Sequence, residues 1–305
     1  MTLHFAKYEG LGNDFVVIEV GPDAAHAADG EAQVLPEITA DQAQALCDRH
    51  RGIGADGVLL VDWPKGRDLE PQPRMRVINA DGSRPEMCGN GLRCVALHLV
   101  RRGHAESGRP FTVATDAGPH VCRVAPLPSD GVEAAEVEVE VSMRPASLVP
   151  AEIPVLAGHE VVDAPFEVAG TTLKLTCVSM GNPHAVTFDD LGPSARSKLG
   201  PLLEKDARFP NAANIGFARL LGPQSLELSV WERGVGFTEA CGTGACACAV
   251  AAVETGRAER GRPIAVRLPG GVLTIRVGER HERISMTGPA RFVFNGTTAQ
   301  QAYQR

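Results

Sequence analysis

The sequence predicts an α+β protein built from two structurally similar halves related by approximate twofold symmetry, with mostly antiparallel strands and few helices. Three observations lead there. Several segments alternate apolar and polar residues with period two, as half-buried strands do. A cysteine followed by Gly-Xaa-Gly opens a helical pattern twice, at "CGNGLRC" (88–94) and "CGTGACAC" (241–248). A Gly-Asn pair precedes a strand ahead of each, in "GLGNDFVVI" (10–18) and "SMGNPHAVTF" (179–188). Each half therefore reads strand, Gly-Asn, strands, Cys-Gly-Xaa-Gly, helix.

Taken in order, the first helix is expected over 41–50, with Asp41 as the cap of "QAQALCDRH". After Cys88, Leu92, Val95, Ala96 and Leu99 form one stripe, Arg101 and Arg102 sit in the last turn, and Gly103 stops the helix. This pattern predicts an amphipathic helix with a basic end. "EVEVEVSM" (136–143) places Val137, Val139 and Val141 on one face and Glu136, Glu138 and Glu140 on the other. That alternation predicts antiparallel sheet with a solvated face. "TTLKLTCV" (171–178), "SLELSVWE" (225–232) and "GVLTIRV" (271–277) alternate similarly. Residues 195–205 predict a polar, superficial helix, whereas "GTGACACAVAAVETG" after Cys241 is small and apolar nearly all round and predicts a buried one. The halves are placed at 1–145 and 146–287, with "PASLVPAEIP" (145–154) as the crossover, and the polar tail "TTAQQAYQR" is expected to fray.

Composition narrows the function. The chain has 305 residues, 44% of them hydrophobic, enough for one large core or two ordinary ones. The net charge is −7, and basic stretches such as "RHRG" (49–52) are short and diluted by acids, which argues against nucleic-acid binding. Without a signal-like N-terminus or a run of 18 apolar residues, the sequence reads as cytoplasmic and not membrane-bound. The eight cysteines lack the C-x2-C spacing of zinc sites, so no metal is expected. The five lysines, Lys7, Lys65, Lys174, Lys198 and Lys205, show no phosphate-binding context for a pyridoxal Schiff base. The sequence leaves a homodimer open.

A cysteine at a helix start meets unpaired backbone N–H groups and the positive end of the helix dipole, which stabilise a thiolate. The adjoining glycines let a substrate carboxylate approach those same amides. Two such starts pointing into one cleft would flank a single ligand, one thiol removing a proton from a carbon beside a carboxylate and the other returning one to the opposite face. That is racemisation or epimerisation, and it requires no cofactor in principle.

"NADGSRPEMCGNGLRC" (79–94), "GNPH" (181–184), "WERGVGFTEACGTGAC" (231–246) and "GNDF" (12–15) resemble the diaminopimelate epimerase family, with matches spread over nearly the whole chain. The resemblance implies two domains, each wrapping strands around a central helix, with the last strand "ARFVFNG" (290–296) returning to the first domain so that 288–305 joins it. It implies cofactor-free conversion of the small-molecule substrate LL-diaminopimelate to the meso form, which feeds lysine and, in many bacteria, peptidoglycan synthesis. By the same resemblance, Cys88 and Cys241 are the acid and base, and Gly89, Asn90, Gly242 and Thr243 bind the reacting carboxylate. His184 and Glu232 assist proton movement, and Asn13 contacts the reacting amine. Asn79, Asn182, Asn214 and a buried Arg233 hold the distal end, since Arg binds carboxylate bidentately and Asn both donates and accepts.

The chain departs from the family pattern in places. Gly57 stands where many members have Gln, and Phe237 and Glu239 are uncommon before the second cysteine. The loops 23–37 and 63–73 have no functional reading. Alternatives are a proline or hydroxyproline racemase, in which a His is expected where this chain has Asn90, and a non-catalytic amino-acid-binding or thiol redox protein.

Overall fold

The computed structural model describes residues 2–20, 38–62, 72–127 and 136–299. The loop 23–37, all but the end of 63–73, and residues 300–305 of the tail lie outside the described residues. The chain divides into two compact units, Met1–Val141 with Gly288–Arg305, and Ser142–Thr287.

In the first unit the strands are β1 (Thr2–Gly10), β2 (Asn13–Glu19), β3 (Gly57–Asp62), β4 (Arg74–Asn79), β5 (Phe111–Thr115), β6 (Gly118–Val124) and β7 (Glu136–Met143). They neighbour one another in that order. Two helices interrupt them, α1 (Ala40–Cys47) between β2 and β3 and α2 (Gly89–Arg101) between β4 and β5. In the second unit the strands are β8 (Ala164–Val168), β9 (Thr171–Ser179), β10 (Pro183–Thr187), β11 (Asn214–Gly222), β12 (Ser225–Glu232), β13 (Gly236–Phe237), β14 (Pro263–Leu268) and β15 (Gly271–Arg276). Their helices are α3 (Pro193–Glu204) and α4 (Gly242–Glu254). The long β16 (Ile284–Ala299) pairs with β15 through Ser285–Thr287 and then with β1 through Arg291–Ala299. The segment 290–296 thus joins the first unit, and Thr297–Ala299 of the polar tail continue the pairing with β1.

The order of pairings repeats. From β16 through β6 the first unit runs antiparallel, antiparallel, parallel, antiparallel, parallel, antiparallel. From β8 through β15 the second unit runs the same way, with β13 a short addition to β12. Each parallel step contains a helix, because parallel neighbours require a crossover. The period-two alternation points to antiparallel sheet, and the structure adds these parallel steps.

The central helices carry the cores. Helix α4 is buried from Gly242 to Ala252 except at Thr243, and packs on β9, β10, β11, β12, β14 and β15. Helix α2 is buried on every side from Gly89 to Val100 and packs on β1, β2, β3, β4 and β6. The amphipathic expectation for α2 is therefore corrected: strands surround it, and Arg93 and His98 on it bond to partners inside the unit. Arg93, fully buried, donates from Nε to Pro289 O at 3.1 Å. His98 lies 2.9 Å from Glu19 Oε1 and 3.2 Å from Tyr8 Oη. At the basic end, Arg102 Nε donates to Glu19 at 3.0 Å, and Gly103 adopts φ +77°. Each buried Leu, Val or Ile in these helices contributes roughly 1.5–3 kcal/mol relative to exposure.

Two further expectations change. Helix α1 is capped by Thr39, not Asp41: the Thr39 hydroxyl accepts from Gln42 N while the Gln42 side chain accepts from Thr39 N, a reciprocal capping box, and the helix ends at Cys47. Helix α3 is not merely superficial, since Leu199, Gly200, Leu203 and Glu204 are buried and Leu199 and Leu203 join the second unit's core.

Candidate active site

In the first unit, Cys88 is the N-cap of α2, its backbone extended at φ −133° and its Sγ accepting from Gly91 N at 3.4 Å. It is the one cysteine of the eight that is not buried. Gly91 is required by close packing, because a Cβ there would lie 2.9 Å from Leu59 Cδ2. Asn90, the second residue of the helix, donates to Asn13 Oδ1 at 3.2 Å. Asn13 in turn donates to Asp56 Oδ2 at 2.6 Å. Asp56 belongs to a charged cluster: Arg49 bridges Asp56 and Asp14, Lys7 pairs with Asp14 at 2.6 Å, and Lys7 also donates to Gly54 O. Burial opposes ionisation of Asp14, but hydrogen bonds from Arg49 and Lys7 outweigh it and hold its pKa down at about 2. This cluster, which fixes Asn13, was missed from sequence; a lysine inside the apolar run of β1 was its only signal. Asn79 closes a turn, donating to Ser83 Oγ at 2.9 Å.

In the second unit, Cys241 is the N-cap of α4 with φ −122°, and its Sγ accepts from Gly244 N at 3.4 Å. A Cβ on Gly244 would lie 3.0 Å from Val230 Cγ2 and 3.2 Å from the Cys241 Sγ itself. Burial, reinforced by the carboxylate of Glu232, pushes the Cys241 thiol well above the ordinary cysteine range, and the Gly244 amide and Thr243 hydroxyl only partly offset this. The expectation that the helix start lowers its pKa is thereby corrected for Cys241, which rests as the thiol. The Glu232 carboxylate is near enough to the sulfur for its charge to disfavour the thiolate. Glu232 is held from the other side by Thr238 Oγ1, which donates to Oε1 at 2.5 Å.

A polar chain leads away from Cys241. Thr243 Oγ1 lies 3.6 Å from Sγ, Asn182 Nδ2 donates to Thr243 Oγ1 at 3.4 Å, and His184 Nε2 lies 3.0 Å from Asn182 Oδ1. His184 is 1% exposed; desolvation, then the nearby Arg233 charge, bring its pKa down to about 3, so the ring is neutral and Nε2 carries the proton donated to Asn182. Asn214 donates to Pro183 O at 3.1 Å and accepts from Arg233 N at 2.9 Å. Arg233 is exposed rather than buried, because it occupies the turn after β12, and its Nη1 donates to Asn211 O at 2.8 Å.

Strand register makes the repeat residue-specific. Phe15 pairs with Gly57 across a parallel step, as His184 pairs with Asn214. Asn13 meets Asn90 on α2, as Asn182 meets Thr243 on α4. The unusual Gly57 thus corresponds to Asn214. A Cβ at Gly57 would lie 3.0 Å from Ile78 O, so in this chain the position is closed by packing. The uncommon Phe237 packs edge-on against Trp231 at 5.2 Å, and Glu239 O accepts from Gly270 N. Among the described residues, no group of three or more His, Cys, Asp or Glu is arranged to hold a metal, and no helix is long and apolar enough to cross a membrane.

The family model described as diaminopimelate epimerase matches residues 5–144 and 176–293, spanning both helix starts. The chain belongs to the diaminopimelate epimerase family. It is an isomerase family. The chain is 44% identical over 301 residues to the diaminopimelate epimerase of Synechocystis sp., covering 97% of this chain and 99% of that one. It is 41% identical to the chloroplastic diaminopimelate epimerase of Oryza sativa subsp. japonica, covering 97% of this chain and 80% of that one. Among solved structures, a probable proline racemase from Agrobacterium radiobacter superposes with a TM-score of 0.65 at 15% identity, covering 99% of this chain and 95% of that one. A hydroxyproline epimerase from Agrobacterium vitis gives 0.63 at 15% identity, covering 98% of this chain and 93% of that one. These two likenesses establish the two-domain fold that diaminopimelate epimerases share with them.

Proposed function

We propose that this protein converts LL-diaminopimelate to meso-diaminopimelate without a cofactor, with Cys88 and Cys241 as the acid–base pair. The observation that carries the reading is the duplicated helix start, a thiol capping a buried helix in each unit, with the Glu232 carboxylate beside Cys241. One sulfur, as thiolate, takes the α-hydrogen as a proton and leaves a carbanion conjugated with the carboxylate. The other sulfur gives its proton to the opposite face, so one S–H is lost, one is gained, and no electrons leave the pair of reactants. Backbone N–H groups at Gly89, Asn90, Gly242 and Thr243 stabilise the charge that develops on the carboxylate. Glu232 receives the Cys241 proton when that residue acts as base, and its raised thiol pKa suits Cys241 to serve as acid toward LL substrate.

In this reading His184 acts as a neutral group through Asn182, Asn13 contacts the reacting amine, and Asn79, Asn182, Asn214 and Arg233 hold the distal amino-acid end. Residues 1–145 with 288–305 form one epimerase half and 146–287 the other. The protein works in the cytoplasm on a small molecule rather than nucleic acid, in lysine and peptidoglycan precursor synthesis, and self-association as a homodimer is read by light scattering. The test is chiral separation after incubating reduced protein with LL-diaminopimelate, and separately with L-proline and trans-4-hydroxy-L-proline. Formation of the meso isomer alone is expected. Turnover of the cyclic substrates instead would overturn the proposal in favour of a proline-type racemase.

A further inference from the structure

Glu204, the last residue of α3, has no part in the chemistry above, yet it is a carboxylate only 5% exposed. A buried carboxylate persists only where its oxygens are hydrogen-bonded. Here Oε2 accepts from the Trp231 indole N–H at 2.7 Å and Oε1 from the Gly234 amide at 2.9 Å. Trp231 and Gly234 are the residues immediately before and after the pair Glu232–Arg233. One turn back on the same face of α3, a Cβ on Gly200 would lie 2.8 Å from Trp231 Cδ2, so the helix lies directly on the indole. The backbone carbonyl of Glu204 accepts from Ala213 N at 3.1 Å, which fixes the entry to Asn214, whose Oδ1 accepts from Arg233 N.

We propose that Glu204 is a positioning residue: its two oxygens clamp the chain on both sides of Glu232 and Arg233, and so set Glu232 at Cys241 and Arg233 toward the substrate. The inference rests on the reading that Glu232 and Arg233 serve the epimerisation. Glu204→Gln tests it, because an amide has one accepting end and must turn an NH2 group toward either the indole or the Gly234 amide. With the folded fraction matched by thermal melting, KM for LL-diaminopimelate should rise and kcat fall so that kcat/KM drops on the order of ten- to a hundredfold. The pH dependence of kcat should also move, since Glu232 shifts relative to the thiol. Nitrogen-15 NMR should show lost protection from hydrogen exchange at the Trp231 indole and the Gly234 amide. A purely structural role predicts the original KM and pH profile, with kcat scaled only by the folded fraction, and that result would overturn the proposal. If Glu204→Gln does not fold, Trp231→Phe removes one donor and keeps the ring; a several-fold rise in KM supports the clamp and an unchanged KM overturns it. If the unsubstituted protein does not epimerise at all, the functional reading fails, and exchange alone decides the clamp: loss of protection in Glu204→Gln supports it, and retention overturns it.

Discussion

Alanine at the second glycine of each Cys-Gly-Xaa-Gly should separate stability from catalysis in opposite ways. At Gly244 the added Cβ would sit 3.0 Å from Val230 Cγ2 and 3.2 Å from Cys241 Sγ. Ordinary contact needs about 3.5–4.0 Å, so the sulfur must retreat by roughly half an ångström from its place at the helix start. Gly→Ala inside a helix gains about 1 kcal/mol of propensity, and overpacking costs about 1–3 kcal/mol, leaving a net loss of about 0–2 kcal/mol. For a unit of this size that is a fall in Tm of no more than about 8 °C. Displacing an acid–base atom, by contrast, costs up to on the order of a hundredfold for about 1 Å of misplacement, so Gly244→Ala should lose at least about tenfold in kcat. At Gly91 the Cβ would meet Leu59 Cδ2 at 2.9 Å but no atom of Cys88 closer than its Cβ, at an ordinary 3.5 Å. Gly91→Ala should therefore disturb core packing at Leu59 while keeping kcat within a few-fold. Meso-diaminopimelate formation and circular-dichroism melting on both variants decide the matter. Equal loss of kcat in the two, or a Gly244→Ala kcat within threefold of the parent, would refute the claim that the glycine makes room for the sulfur.

The remaining predictions concern titration and reactivity. His184, with a folded pKa of about 3 against an ordinary 6.5, binds its proton more readily when unfolded, so it lowers stability as pH falls through that window and leaves it intact above. The loss reaches up to roughly 5 kcal/mol near pH 3; His184→Phe, which copies Phe15 at the equivalent position, should flatten the slope of urea stability between pH 6.5 and 4, and an unchanged slope would contradict the burial argument. Iodoacetamide at pH 8 should modify Cys88 first, since the other cysteines are buried and the Cys241 thiol is held protonated; mass mapping that finds Cys241 modified as fast would contradict its assigned state. Asp56→Asn removes the carboxylate that accepts from Asn13 and pairs with Arg49, and should raise KM several-fold with little change in melting, because the pair is largely exposed. An unchanged KM would show that Asn13 does not depend on that support.

Much of the fold was legible because its signals are local. Period-two alternation gave β7, β9, β12 and β15 nearly to the residue, and the paired Gly-Asn and Cys-Gly-Xaa-Gly stretches marked corresponding points of two repeats. What escaped depends on tertiary surroundings. Arg93 and His98 look like the wet face of α2, and only a closed set of strands with Pro289 O, Tyr8 and Glu19 in reach makes them interior. Parallel steps leave no mark on the alternation of single strands. The equivalence of Gly57 and Asn214 is a register fact, invisible until His184 and Phe15 are seen on corresponding strands. Arg233 was expected buried for its chemistry, but the turn after β12 places it in solvent, its backbone rather than its burial being what the protein fixes. Asp41 and Thr39 are both competent caps, and the reciprocal bond with Gln42 selects Thr39.

The most direct test of two-thiol chemistry is deuterium incorporation during the first turnovers of LL-diaminopimelate in deuterated water, with substrate and product separated and weighed. Two monoprotic thiols exchange with solvent between turnovers, so the meso product should carry one deuterium at the inverted carbon while recovered LL substrate stays unlabelled. Early label in recovered substrate at the rate of product formation would mean that one group removes and returns the proton on both faces, and the account of Cys88 and Cys241 as an opposed pair would be wrong.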